Sequence, residues 1–263
     1  MKRCLLVLVL LLSTCLTLSA CAATAQALAQ MRLNTMQASE YFQKPAEIAL
    51  VEAASEGDIK GMQQAIAHGA DVNAVGKDGM APLIWTAAIH PNLQGFKYLL
   101  AHGADPNLVT DTDEGPGKDL AYIIKVAYLQ SDPRFLKALL EAGADPNTVV
   151  GETDTLLFFP SLDQRLSQTK LLIKYGANVN YQGPVYGITP IENAIDGRQF
   201  KAALLLLRSG ADPTLEDSNG DGALTTLKMF RASAKKVAKN ELPDGYPELI
   251  QALKKRGYLE ADF

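Results

Sequence analysis

Gly69-Ala70-Asp71-Val72-Asn73 returns along this chain as Gly103-Ala104-Asp105-Pro106-Asn107, Gly143-Ala144-Asp145-Pro146-Asn147, Gly176-Ala177-Asn178-Val179-Asn180 and Gly210-Ala211-Asp212-Pro213-Thr214. The glycines are spaced 34, 40, 33 and 34 residues apart. A period in this range marks stacked repeats, each a unit that cannot bury its apolar face alone. Before each glycine stands an apolar pair: Ala65-Ile66, Leu99-Leu100, Leu139-Leu140, Leu172-Ile173 and Leu206-Leu207. That placement predicts a helix that ends with its apolar face buried. The glycine supplies the left-handed conformation that stops a helix. The Asp or Asn and the Val or Pro behind it turn the chain outwards.

The openings of the repeats add a second signal. Lys77-Asp78-Gly79-Met80-Ala81-Pro82-Leu83 places Pro82 in a first helical turn, where its missing amide is not needed. Gly187-Ile188-Thr189-Pro190-Ile191-Glu192-Asn193-Ala194 repeats the pattern. With these openings and the pentads together, the chain resembles ankyrin-repeat proteins, whose consensus Gly-x-Thr-Pro-Leu-His-x-Ala opens a helix-turn-helix that closes on Gly-Ala-Asp. Glu192 stands where the consensus has His. The third repeat has no Thr-Pro-Leu element in Asp119 to Gln130, and in the fourth, Thr155 to Ser161, the proline is out of place. The resemblance covers residues 39–263 and implies an all-α solenoid of about six repeats joined by β-hairpin-like loops, the last repeat a cap.

Irregular spacing locates the departures from a plain array. The extra residue of the second repeat falls between Leu83 and Leu99, most simply at His90-Pro91-Asn92. That of the fifth falls in the hairpin Tyr181 to Tyr186, and the long insertion of the third at Leu108 to Lys118. Long loops in compact arrays tend to carry function. In the last repeat a basic first helix, Ala223 to about Lys239, breaks at Glu241-Leu242-Pro243-Asp244-Gly245 before a closing helix from Tyr246 to Arg256. Lys235, Lys236, Lys239, Lys254, Lys255 and Arg256 give the solvated outer face that a terminal repeat requires.

The first residues read differently. Lys2 and Arg3 precede an uncharged apolar run and then Leu18-Ser19-Ala20-Cys21, the pattern of a secretory signal with a small-residue cleavage site. It resembles the bacterial lipoprotein signal, which implies removal of residues 1–20 and a lipid on Cys21; an ordinary signal peptide or anchoring helix is the other reading. Of the three cysteines, Cys4, Cys15 and Cys21, only Cys21 would remain, so no disulfide is expected. Two or more acyl chains hold a protein stably to a membrane where one does not. Ala22 after the cysteine, by the same resemblance, implies sorting to the outer membrane of a Gram-negative bacterium, facing the periplasm. Residues 21–38 read as a lipidated tether with a flexible reach on the order of 20 to 25 Å.

Charge and chemistry narrow the function. Without Lys2 and Arg3 the chain carries 23 basic and 29 acidic residues, net −6. Nucleic acid needs a basic footprint and is excluded as the expected partner. A protein with a basic or mixed surface suits this balance. Asp217-Ser218-Asn219-Gly220-Asp221-Gly222 begins like a calcium loop but has Lys228 where a Glu should close it, and the repeat frame reads it as a hairpin. His68 and His102 stand one repeat apart before their glycines, too far apart for a shared metal and well placed at helix C-termini. His90 shows no partner. Gly115-Pro116-Gly117-Lys118 lacks the first glycine and the hydroxyl of a phosphate loop. With no nucleophile elbow or metal-protease motif, no enzyme, cofactor or metal is expected. Trp85 reads as core.

What remains is surface. The resemblance implies that hairpin tips and the inner face of each first helix meet partners. The tip residues are Lys77, Asp78 and Met80; Gly151, Glu152 and Asp154; Val185, Tyr186 and Ile188; Ser218, Asn219 and Asp221. Tyr181 flanks the enlarged fifth tip as Tyr186 does, and both read as partner-binding residues, the other reading being that one of them packs on the hairpin itself. Asp111, Asp113 and Glu114 add an acidic arm. These features predict a protein-binding array, monomeric when unbound. It would be either an immunity protein that occludes a secreted antibacterial toxin, such as a lipid- or wall-degrading enzyme, or an envelope scaffold or stress-protection factor that binds a resident periplasmic protein.

Overall fold

The computed structural model describes residues 35–110, 122–150, 154–159, 162–234, 242–260 and 263. They fall into two compact bodies, one within Met1–Leu99 and one within Leu100–Phe263. Among the described residues no helix is long and apolar enough to cross a membrane. Cys21, where a lipid is expected, and the acidic arm Asp111, Asp113 and Glu114 lie outside the described residues.

In the N-terminal body, α1 (Ala38–Tyr41) leads into α2 (Pro45–Glu56), α3 (Ile59–Ala67), α4 (Pro82–Ile84) and the start of α5 (Leu93–Ala101). Pro45 and Pro82 occupy first turns. Asp58 caps α3 by accepting the Lys60 amide at 3.1 Å. Asn92 does the same for α5, accepting the Gln94 and Gly95 amides at 3.0 Å each. Leu50, Val51, Met62, Leu83, Ile84, Trp85 and Phe96 form the core. Gly95 sets how closely α5 approaches α2, because a Cβ there would lie 2.0 Å from the Ala54 carbonyl oxygen.

The extra residue of the second repeat is not housed in the interhelical turn. Trp85–Ile89 continues α4 as a π-helical turn, in which the His90 amide donates to the Trp85 carbonyl at 3.0 Å. Such single wide turns absorb one inserted residue inside a helix. Trp85 is core as expected, 2 % exposed, and its Nε1 donates to Ser55 Oγ at 2.9 Å. His90 has partners after all: its ring lies 5.3 Å from that of Trp85, and Nε2 is 3.3 Å from the Met36 carbonyl.

The C-terminal body holds α6 (Ile123–Leu129), α7 (Pro133–Glu141), the two-residue strands β1 (Val149–Val150) and β2 (Asp154–Thr155), α8 (Leu166–Lys174), α9 (Pro190–Asp196), α10 (Phe200–Arg208), α11 (Ala223–Ala234) and α12 (Tyr246–Lys255). β1 and β2 are antiparallel, with Val150 opposite Asp154 and Val149 opposite Thr155. Thr189 and Glu192 form a reciprocal capping box at α9, so the departure from the His consensus is itself a capping device.

The fourth repeat has lost most of its first helix. Among the described residues a 3₁₀ turn, Leu156–Phe158, stands in its place, and Phe159 is extended with ψ 137°. Its neighbour Pro160 explains this, since the residue before a proline is driven out of the helical region. A second 3₁₀ turn, Leu162–Arg165, runs into α8. Polar bonds help join this repeat to the third: Gln168 Nε2 donates to the Gln130 carbonyl at 2.8 Å, and Arg165 Nη1 to that of Tyr128 at 3.3 Å.

The pentads do more than end helices. Gly143, Gly176 and Gly210 have φ near 98–99°, and the alanine amides behind them bond back to Leu139, Leu172 and Leu206 carbonyls at 2.9–3.1 Å. The third residue closes a local turn, as when Asp145 Oδ1 accepts the Asn147 amide at 2.8 Å. The fifth residue then reaches the next pentad. Asn107 Nδ2 donates to the Gly143 carbonyl (3.2 Å) while its Oδ1 accepts the Asp145 amide (2.8 Å). Asn147 makes the same pair with Gly176 (3.1 Å) and Asn178 (2.7 Å), and Asn180 with Gly210 (3.3 Å) and Asp212 (2.8 Å). Where no pentad follows, the fifth residue is Thr214, whose hydroxyl turns back to Asp212 Oδ1 at 2.6 Å.

The last repeat closes on an aromatic cluster of Phe200, Phe230 and Tyr246, with ring centres 5.0–5.2 Å apart. Arg256, expected on a solvated face, also caps α10 by donating to the Leu207 carbonyl at 2.7 Å.

Candidate protein-binding surface

In the N-terminal body the tip between the first two repeats is a 3₁₀ turn, Lys77–Gly79. Lys77 is exposed, and Asp78 is half-buried at φ 54°, a left-handed conformation that Asp tolerates better than most residues. Met80 is a correction: it is 2 % exposed and belongs to the core. Its amide bonds to the Lys77 carbonyl and its carbonyl accepts the Gly76 amide at 2.7 Å, so closing the turn directs the side chain inwards. Val75, not singled out from the sequence, is exposed instead.

In the C-terminal body, Glu152 lies outside the described residues, and the Asp154 backbone is held in β2. The fifth tip is the most apolar surface of the predicted set. Val185 and Tyr186 are 58 % and 61 % exposed. Tyr181 packs not on its own hairpin but on Phe158 of the fourth repeat, its ring 6.0 Å away in an edge-on contact, and Ile188 is half-buried. Ser218 and Asn219 are exposed at the next tip.

These two tips are tied together. The Ser218 amide donates to the Tyr186 carbonyl at 2.8 Å, and Gln182 Nε2 donates to both the Gly187 and Glu216 carbonyls at 3.0 Å. Asp217, the first residue of the calcium-like run, spends Oδ1 on the Asn219 and Asp221 amides at 2.7 and 3.0 Å. That is the geometry of a hairpin turn. Gln182 was missed by sequence reasoning because its partners are backbone groups of a later repeat. The exposed Val109 and Val149 were also missed, yet they share a readable frame: like Val75, each stands two residues after a pentad asparagine.

Acidic groups underlie this surface. Burial raises the Glu192 carboxyl above its ordinary value; its bond to the Thr189 amide opposes the rise, and the charges of Asp217, Asp221 and Asp196 add to it. Asp212 is lowered, first by the Thr214 hydroxyl and then by the Thr214 amide. Val185 and Tyr186 thus stand as an apolar pair on a tip fixed by backbone bonds, beside the acidic residues Glu216, Asp217 and Asp221. Such a surface can seat a protein with apolar anchoring pockets and basic neighbours.

Comparison with known proteins supports the ankyrin-repeat fold. The family described as Ankyrin repeat matches residues 78–111. Protein PhlB of Serratia liquefaciens is 33% identical over 102 residues, 39% of this chain and 45% of that protein. Human palmitoyltransferase ZDHHC13 is 38% identical over 84 residues, 32% of this chain and 14% of the enzyme. The chain thus spans less than half the length of these relatives. Among solved structures, an ankyrin repeat domain from Acinetobacter baumannii AYE matches with TM-score 0.59 and 23% identity, over 79% of this chain and 97% of that one. A chain of the complex between the predatory endopeptidase Bd0816 of Bdellovibrio bacteriovorus and the immunity protein Bd3460 matches with TM-score 0.53 and 25% identity, again over 79% and 97%.

Proposed function

We propose that this chain, which has the ankyrin-repeat fold, is an immunity protein that binds and occludes a secreted antibacterial enzyme. The observation that carries the reading is the likeness, over 97% of the matched chain, to a complex in which an immunity protein meets an endopeptidase. The fixed fifth tip with exposed Val185 and Tyr186 supplies a surface for it. A rigid tip loses little conformational freedom on binding, which favours affinity. The palmitoyltransferase activity of the second relative does not carry over, since the match spans 14% of that enzyme. In this reading Cys21 is lipidated and holds the array at the periplasmic face of the outer membrane, where an incoming enzyme would be met. Loss of radiolabelled palmitate incorporation in Cys21→Ser is the expected result for that anchor, and equal labelling of the variant would refute it.

Affinity capture from envelope and secreted fractions tests the binding. The expected catch is a secreted hydrolase that is toxic to cells lacking this chain. Recovery of a resident periplasmic protein, with no toxin sensitivity on deletion, would replace immunity by a scaffold role.

A further inference from the structure

The residues before α2 do not lead away from the N-terminal body; they lie along it. The Met36 carbonyl sits 3.3 Å from His90 Nε2, beyond the last turn of the first helix of the second repeat. The Tyr41 and Phe42 rings lie 5.9 and 6.2 Å from the ring of Trp85 in that helix. The Tyr41 carbonyl reaches Gly76, in the hairpin before the helix. Residues 36–42 therefore run the length of the helix, from its end back to its beginning. Ala38 and Phe42 are 3 % and 1 % exposed, so the contact is packed rather than loose.

Gly76 gives independent support. Its φ of −89° is open to any residue, so the turn does not demand glycine there. A Cβ would, however, lie 2.4 Å from the Tyr41 carbonyl oxygen and 3.3 Å from the Phe42 ring. Glycine is required at 76 by the segment lying over it.

We propose that Met36–Phe42 is a strap that keeps the first-helix face of the N-terminal body closed, so that a partner docks on hairpin tips and not on this face. The docking half of this inference rests on the protein-binding function proposed above. The strap itself does not. Trp85 is the single tryptophan of the chain and lies beneath the strap, so its fluorescence reports the closure directly.

The test uses the full chain with two variants. Gly76→Ala should lift the strap through the backbone clash while leaving every apolar side chain in place, and Phe42→Ala should loosen it by removing its anchor. Both should shift Trp85 emission to longer wavelength and lose protection from acrylamide quenching, with helical circular dichroism unchanged. Should Phe42→Ala fail to fold, Gly76→Ala decides. Trp85 as well protected in folded Gly76→Ala as in the parent would overturn the strap. For docking, the hydrolase captured above is titrated against parent and Gly76→Ala. Equal affinity is expected, whereas tighter binding to Gly76→Ala would show that the face beneath the strap is a docking site and overturn that half. If no protein is captured, the immunity reading falls, and the Trp85 measurement still judges the strap.

Discussion

Asn147→Ala isolates the stitch between repeats. The substitution removes the 3.1 Å bond to the Gly176 carbonyl and the 2.7 Å bond from the Asn178 amide, while the Asn147 amide keeps its bond to Asp145. Each bond contributes about 0.5–1.5 kcal/mol net, and these lie open to water, which replaces part of what is lost. The expected destabilisation is therefore about 1–2 kcal/mol. It should appear in urea unfolding as a lower midpoint with an unchanged slope. Asn180→Ala removes the equivalent pair to Gly210 and Asp212 and should lose a similar amount. Thr214→Asn is the control: it restores the consensus residue where no later pentad follows, and its effect should stay within about 0.5 kcal/mol. A loss below about 0.3 kcal/mol for Asn147→Ala, or a gain for Thr214→Asn as large as that loss, would refute the stitch as a source of stability.

Two glycines should fail for different reasons when changed to alanine. Gly95→Ala drives a Cβ into the Ala54 carbonyl and should cost about 1–3 kcal/mol or more by overpacking, despite the better helix propensity of alanine. Gly143→Ala meets no atom within 4 Å and should cost only the left-handed strain, about 1–2 kcal/mol, in thermal or urea melts. Burial raises the Glu192 carboxyl above its ordinary value, so the folded chain holds this proton more tightly than the unfolded chain does. That contribution is full at low pH and is lost as pH rises through the raised folded value. The stability of the parent relative to Glu192→Gln should accordingly fall as pH rises above the ordinary carboxylate range, and a flat difference would contradict the shift. Val185→Ala with Tyr186→Ala should weaken capture by about 1–2 kcal/mol or more while leaving the melting curve in place, because both side chains are exposed.

The repeat frame is legible in the sequence because its signals are local. A left-handed glycine, a proline in a first turn and an apolar pair one turn before the stop each act over a few residues. Their agreement at one period fixes helix ends without knowledge of what packs where. The π turn at Trp85–Ile89 escapes this reading, since one residue added to a continuous apolar run leaves no local mark. Met80 misleads for a related reason. A position next to a tip glycine counts as exposed by frame, but the turn closes through its own amide and carbonyl and sends the side chain to the core. The asparagine stitches needed knowledge of the neighbouring repeat, so the pentad read as a helix stop alone. At the fifth tip the sequence placed two tyrosines correctly beside the hairpin, and only coordinates distinguish Tyr181 on Phe158 from Tyr186 in solvent. The strap was hidden because small polar residues before Ser39 suggest a tether, although Met36 and Ala38 already touch or enter the packed body.

The proposed function is the silencing of an enzyme by covering it. The most direct measurement is the catalytic rate of the captured hydrolase as the chain is titrated in. A stoichiometric loss of turnover is expected, with about tenfold or more chain needed for the same loss when Val185 and Tyr186 are both replaced by alanine. A hydrolase that keeps full activity while saturated with the chain would contradict it.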